Sequence, residues 1–261
     1  MRNKSVLIPI PAYGFDPTEV AIPWKLMTDA GIQVIFTTPG GEKAAADKRM
    51  LKGNGLGLLR PLLKARKDAV RAYAEMENSA LFCNPVKFED IDEQAFDGVL
   101  LPGGHHKGIK EYLESDLLQC IVVRFFQAKK PVGAICHGVV LAARSINPMT
   151  ERSVIHAYKT TALLRKQEML AYRLTRLWLD DYYLTYPECT VEDEVKAALL
   201  SWDNFHAGPR PARRDNLKNL GRGFVMRDRN YLSARWSGDA YNFSIQYIEM
   251  INDVVGYEDM G

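Results

Sequence analysis

The chain has 261 residues, 47% hydrophobic and 25% charged, enough apolar material for one sizeable core. Its 34 Lys plus Arg against 32 Asp plus Glu leave a formal net charge of +2, no electrostatic basis for binding nucleic acid or an anionic membrane. The apolar run Ser5–Ile10 after Met1–Lys4 is too short for a signal-peptide core, and no stretch approaches membrane-spanning length. Cys83, Cys120, Cys136 and Cys189 lie far apart, so a cytoplasmic protein with reduced thiols is expected. His105 and His106 are adjacent, with no third ligand at a familiar spacing, and no metal or organic cofactor is expected.

Ser5–Ile10 and Gln33–Thr37 are rich in β-branched residues and read as strands. Between them, Asp16-Pro17-Thr18-Glu19 carries an N-cap, a proline at the first helical position and an acid in the first turn; Gly31 ends the helix. Gly40 to about Asp92 interrupts the alternation. Its glycines, Gly53, Gly55 and Gly57, read as loop, since no strand leads in and the Gly-x-Gly-x-x-Gly order is absent. Pro61–Asn78 reads as helical. Phe96–Leu101 is a buried strand ending in Pro102-Gly103-Gly104, and Leu113, Leu117, Ile121 and Phe125 predict one long amphipathic helix over Ile109–Lys129. Val132–Ile135 is the next strand and Gly138–Ser145 the helix behind it.

A second elaboration, Lys166–Pro211, holds predicted helices at Glu168–Leu179 and Val191–Trp202. The neighbouring cluster Arg210, Arg213 and Arg214, set among prolines, reads as a solvated loop. Gly223–Asp228 and Tyr231–Ala234 read as late strands and Asp239–Val255 as a closing helix. Alternating strands and helices imply a parallel sheet covered on both faces. With no repeat or linker, residues 1–261 read as a single domain with insertions at about 40–92 and 166–211.

Pro131-Val-Gly-Ala-Ile-Cys-His-Gly138 carries the clearest chemistry: a short strand delivers Cys136 to the carboxyl edge of a sheet and a helix follows at once. Free cysteines are mostly buried and inert, but the helix amino terminus and nearby amides are expected to lower this thiol's pKa and make it a nucleophile. His137 reaches the sulfur only if the turn is tight, which Gly138 permits. Gly103 and Gly104 form a tight turn on one reading. On the other, a backbone amide there converges with that of His137 to form an oxyanion hole. His105 lines the same mouth or is simply a surface histidine. Glu19 has capping-box spacing from Asp16, and the residues alone leave capping and catalysis open.

Ala-Ile-Cys-His-Gly, with Leu-Leu-Pro-Gly-Gly-His upstream and an acid in the first βα turn, resembles the ThiJ/PfpI superfamily, the class I glutamine-amidotransferase-like fold. The likeness runs from Ser5 to the last helix and implies a flavodoxin-like (Rossmann-like) α/β sheet. The large insertions look most like the heat-shock chaperone and glyoxalase III branch. The resemblance implies that Glu19 sits against the Cys136 sulfur as a protonated carboxyl or general acid/base. It also implies that an acid beyond a strand resembling Ser153–Thr161 orients His137; Glu168 fits, with Asp180, Asp181 and Glu188 as rivals. Tyr231 to Asp239 occupies the place of the relatives' Thr-Gly-x-Asn-Pro loop and departs from it. Arg235, Trp236 and Asp239 therefore read as shaping a different pocket, with Trp236 as a wall and Arg235 contacting an anion. The alternative is plain strand-to-helix packing, with Asp239 as an N-cap.

The expected function is cofactor-independent carbonyl chemistry on a small-molecule substrate by a homodimer. Cys136 would attack a 2-oxoaldehyde, Glu19 or His137 would move the proton, and amides of Gly104 and His137 would hold the oxyanion. Amide hydrolysis or isonitrile hydration is the enzymatic alternative, and a redox-sensing or holdase chaperone the non-enzymatic one.

Overall fold

A computed structural model describes residues 4–210 and 213–253 of the chain. The main sheet contains β1 (Ser5–Pro9), β2 (Gln33–Thr38), β3 (Val86–Lys87), β4 (Gly98–Leu101), β5 (Val132–Ile135), β6 (Val225–Asp228) and β7 (Tyr231–Ala234). Their spatial order is β6-β7-β5-β4-β1-β2-β3. All neighbours run parallel except the β6–β7 hairpin, where Val225 pairs with Ala234 and Asp228 with Tyr231. β1, β4, β5 and β7 are buried along their whole length, which is why they read as continuous apolar runs rather than alternating ones. This is a flavodoxin-like α/β fold.

The longer helices are α1 (Pro17–Asp29), α2 (Lys67–Glu77), α3 (Asp116–Gln127), α4 (Gly138–Arg144), α5 (Arg165–Leu179), α6 (Val191–Ala198) and α7 (Ala240–Asp253). α1 packs on α2 and α7, while α4 packs on α3 and α6. Among the described residues no helix is long and apolar enough to cross a membrane.

Several boundaries differ from the sequence pattern. The expected helix over Ile109–Lys129 is broken: Lys110–Leu113 forms a single turn, and Ser115 then caps α3, its Oγ accepting from Leu118 N at 3.3 Å. The break also shifts the apolar stripe: Leu113 is buried, but Leu117 is exposed and the buried face of α3 begins at Leu118. The expected Pro61–Asn78 helix divides likewise into Arg60–Leu63 and α2. The Ser153–Thr161 stretch is strand only at Arg152–Ser153, with Thr160 making an isolated bridge to Phe205. β3, two residues long, carries no sequence signal of its own. Val254 and Val255 of the closing helix, and Pro211 at the insertion boundary, lie outside the described residues.

The cap of α7 comes from a distant loop. Asp215, buried, accepts from Asn242 N at 2.8 Å and Tyr241 N at 3.3 Å. Asp239, the local candidate, is engaged with Arg235 instead. Asp215→Ala is therefore expected to cost about 1–2 kcal/mol of stability in denaturant unfolding, with Asp215→Asn, which keeps one of the two acceptor oxygens, recovering part of it. Equal losses in both variants would refute the cap.

Candidate active site

The turn between β5 and α4 places Cys136 at φ +58°, a left-handed conformation uncommon for a residue with a side chain. The surrounding backbone enforces it. Cys136 N donates to Ala234 O at 3.1 Å, and a Cβ on Gly138 would strike the Leu101 carbonyl. A Cβ on Gly103 would lie 2.7 Å from His137 N and 2.9 Å from the Cys136 Cβ, so the Pro102-Gly103-Gly104 loop packs against the elbow only because Gly103 lacks a side chain. Cys136 is 2% exposed yet lines a cavity of about 190 Å³.

Glu19 joins three elements. Its neighbour Asp16 caps α1, Oδ1 accepting from Thr18 N at 2.7 Å and Glu19 N at 3.2 Å. The reciprocal half of a capping box is absent, because Asp16 N donates to Gly103 O at 2.8 Å. The Glu19 carboxyl is thus released for the site: Oε2 accepts from Gly103 N at 3.0 Å, and the carboxyl lies beside the Cys136 thiol. Burial, then the charge of Asp16, pushes Glu19 well above the usual carboxylate range and favours the neutral acid. A neutral carboxyl can donate to the sulfur once a thiolate forms.

Burial, then the nearby Glu19 and Asp16, pushes the Cys136 thiol well up. This corrects the expectation of a lowered thiol pKa: the His137 amide does bond the sulfur, but desolvation outweighs it. His137 is fully buried, with Nδ1 3.4 Å from Sγ. Burial, then the His105 and Arg144 charges, holds its imidazole neutral. The resting site is a neutral thiol beside a neutral base and a neutral acid.

The expected orienting role of Glu168 is not met. Among the described residues His137 Nε2 has no hydrogen-bond partner, whereas Glu168 Oε2 accepts from Val191 N at 3.0 Å. Glu168 nevertheless lines the same cavity. The rivals fare no better: Asp181 pairs with Lys107, and Asp180 and Glu188 do not line the cavity. Gly103 leaves the expected oxyanion hole because its N–H is taken by Glu19. The Gly104 N–H has no partner among the described residues.

His105 and Trp236 line the cavity. The His105 ring stands edge-on to His137 at 5.1 Å and to Tyr183 at 5.0 Å, and burial lowers its pKa to about 4. Arg235 and Asp239 do not line it. Both are buried and paired, Nε to Oδ2 and Nη2 to Oδ1 each at 2.9 Å, while Arg235 Nη1 donates to Pro209 O at 2.6 Å. An arginine satisfied by a bidentate carboxylate and a carbonyl is a brace, not an anion receptor.

Five polar cavity residues went unread as site residues: Asp16, Gln167, Tyr183, Arg214 and Ser237. Asp16 had a local signal, but only as a cap. Arg214 sat in the cluster assigned to a solvated loop; instead its guanidinium lies 5.6 Å from the Trp236 ring centre and donates to the carbonyls of Leu62, Leu63 and Lys64. Nothing in the local sequence marks Gln167 or Tyr183.

A strained cysteine on a strand-to-helix turn, met by a glutamate from the first helix and a Pro-Gly-Gly loop, defines a class of cysteine-centred α/β proteins. A family model described as ThiJ/PfpI family-like matches residues 10–209, and the chain belongs to the ThiJ/PfpI family. It is 28% identical over 146 residues to Protein DJ-1 homolog D of Arabidopsis thaliana, covering 55% of this chain and 33% of that protein. It is 22% identical over 164 residues to Deglycase TK1284 of Thermococcus kodakarensis, covering 63% and 68%. The chain spans less than half the length of two of the curated relatives it matches. In fold it is similar to glyoxalase III (Orf 19.251) of Candida albicans, with a TM-score of 0.68 at 16% identity over 95% of this chain and 97% of that one.

Glu168 yields a pH prediction. Burial raises its pKa from the usual 4.5 to about 7, so between those values the folded chain binds more protons than the unfolded one. Stability attributable to this group is full below about pH 4.5 and falls as pH rises through about 7. Glu168→Gln, which keeps an acceptor for Val191 N, should therefore raise stability at pH 8, by at most about 3 kcal/mol, and leave it nearly unchanged at pH 4. A difference in melting temperature that is the same at both pH values would contradict this.

Proposed function

We propose that this chain is a cofactor-independent enzyme in which Cys136 attacks small reactive carbonyls, converting 2-oxoaldehydes to 2-hydroxy acids as a glyoxalase III does, or acting in the related deglycation. The observation that carries the reading is the sulfur itself. It is held on a strained turn at a cavity, with the Glu19 carboxyl and His137 Nδ1 both in contact with it. Likeness to a deglycase and to the glyoxalase III fold supports the same chemistry.

The neutral resting site suits attack coupled to substrate entry. Sγ adds to the aldehyde carbon, its proton passing to His137 Nδ1, and the carbonyl oxygen takes the Glu19 proton with the Gly104 N–H beside it. The Glu19 carboxylate then removes the hydrogen on that carbon and returns it to the neighbouring carbonyl carbon, while the hydroxyl proton on the first oxygen passes to the second oxygen. This leaves a thioester of the 2-hydroxy acid. Water cleaves the thioester and restores the thiol, so the net change is addition of one water with no external oxidant. The reading takes a homodimer as the working form and the cytoplasm as its setting, where free cysteines stay reduced.

With methylglyoxal as substrate, lactate is the expected product. Cys136→Ala should reduce its formation to background, and Glu19→Gln should lower kcat by about 10²–10⁴-fold through loss of the proton carrier. Full lactate formation by Cys136→Ala, or ammonia or formamide released from amide or isonitrile substrates in its place, would overturn the assignment.

A further inference from the structure

We propose that the catalytic cavity continues outward into an apolar subsite, and that the preferred substrate is a reactive carbonyl compound bearing an alkyl or aryl arm. This rests on the reading of Cys136 as nucleophile and adds the substrate class. An apolar cavity of about 150 Å³ accommodates a benzene ring. At about 190 Å³ this one exceeds what a three-carbon 2-oxoaldehyde fills.

The cavity is graded. At its floor Cys136 is 2% exposed, and the buried polar atoms His105 Nδ1, Tyr183 Oη and Trp236 Nε1 have no hydrogen-bond partner among the described residues. Such orphans are costly unless a ligand's carbonyl or hydroxyl groups meet them. At its mouth the lining is leucine: Leu62, Leu170 and Leu174 are 61%, 58% and 43% exposed. Leu170 and Leu174 stand one turn apart on α5, in the same stripe as Gln167 and Ala171, so the helix presents this face to the cavity.

These leucines are held in place. Arg214 donates to the Leu62, Leu63 and Lys64 carbonyls at 2.9–3.4 Å, fixing that segment. Trp178 Nε1 donates to Gly55 O at 2.8 Å, and Met50, Leu56, Leu179, Tyr182 and Tyr183 form a second small core joining the two insertions. An apolar wall braced this way and left in water gains free energy when an apolar arm lies along it.

The test measures alkylation of Cys136 by N-methyl-, N-butyl-, N-octyl- and N-phenyl-iodoacetamide, each rate normalised to glutathione and each site resolved by mass spectrometry. The exposed Cys83 and Cys120 serve as internal references. The normalised Cys136 rate should rise about fourfold per buried methylene until the arm outgrows the cavity, and stay flat at the references. Leu170→Asp with Leu174→Asp, at exposed positions, should flatten the Cys136 series. In parallel, kcat/KM is compared for methylglyoxal and longer alkyl glyoxals. A flat alkylation series with methylglyoxal still turned over would overturn the subsite and leave the proposed function intact. A rising series with no 2-oxoaldehyde turned over would overturn the function and leave the subsite. An unreactive Cys136 would overturn both. A Cys136 rate that falls with protein concentration, and is restored by Leu170→Asp, would assign the leucines to contact with a second copy of the chain and overturn the subsite.

Discussion

The close approach of three backbone segments around Cys136 is the constraint on which the site depends. The strained φ of the cysteine costs on the order of 1–3 kcal/mol and persists only where the surroundings fix it. Here Gly138 lies against the Leu101 carbonyl and Gly103 against the elbow amide, so two glycines far apart in sequence set one geometry. Glu19 closes the arrangement by accepting from the Gly103 amide beside the thiol. Any movement of α1 relative to β5 would be felt at the sulfur.

Burial then decides the electrostatics. Glu19 and Glu168 are pushed upward, as is the Cys136 thiol, while His137 and His105 are pushed down. Each of these groups moves toward its uncharged form because desolvation penalises charge more than the local hydrogen bonds favour it. On the proposed function, a site of neutral donors and acceptors would develop charge only when a substrate arrives to share it.

The inserted segments complete the cavity rather than merely decorating the sheet. Residues from the first (Met50, Leu62, Leu63) and the second (Gln167, Leu170, Leu174, Tyr183) line it together. Arg235 and Asp239 brace the loop after β7 through a buried bidentate pair, and Arg214 ties the 62–64 segment across the cavity. The two arginines therefore act in reverse of what their neighbourhoods suggest. The one beside a strand is structural, and the one in a proline-rich basic stretch reaches the site.

By itself the sequence determined the alternating strand-helix order, the buried parallel strands, the Cys136 elbow and the presence of an acid at Glu19, because each is encoded within a few neighbouring residues. Periodicity, a proline at a helix start and a glycine after a cysteine are local facts. Tertiary structure alone decided that Asp215 caps α7, that Glu168 bonds Val191 N rather than His137, and that Gly103 gives its amide to Glu19. It also decided that Arg214 reaches the cavity while Arg235 does not. Those outcomes depend on which distant groups compete for one hydrogen bond and how much water burial removes. Neither quantity is written in any short stretch of the chain.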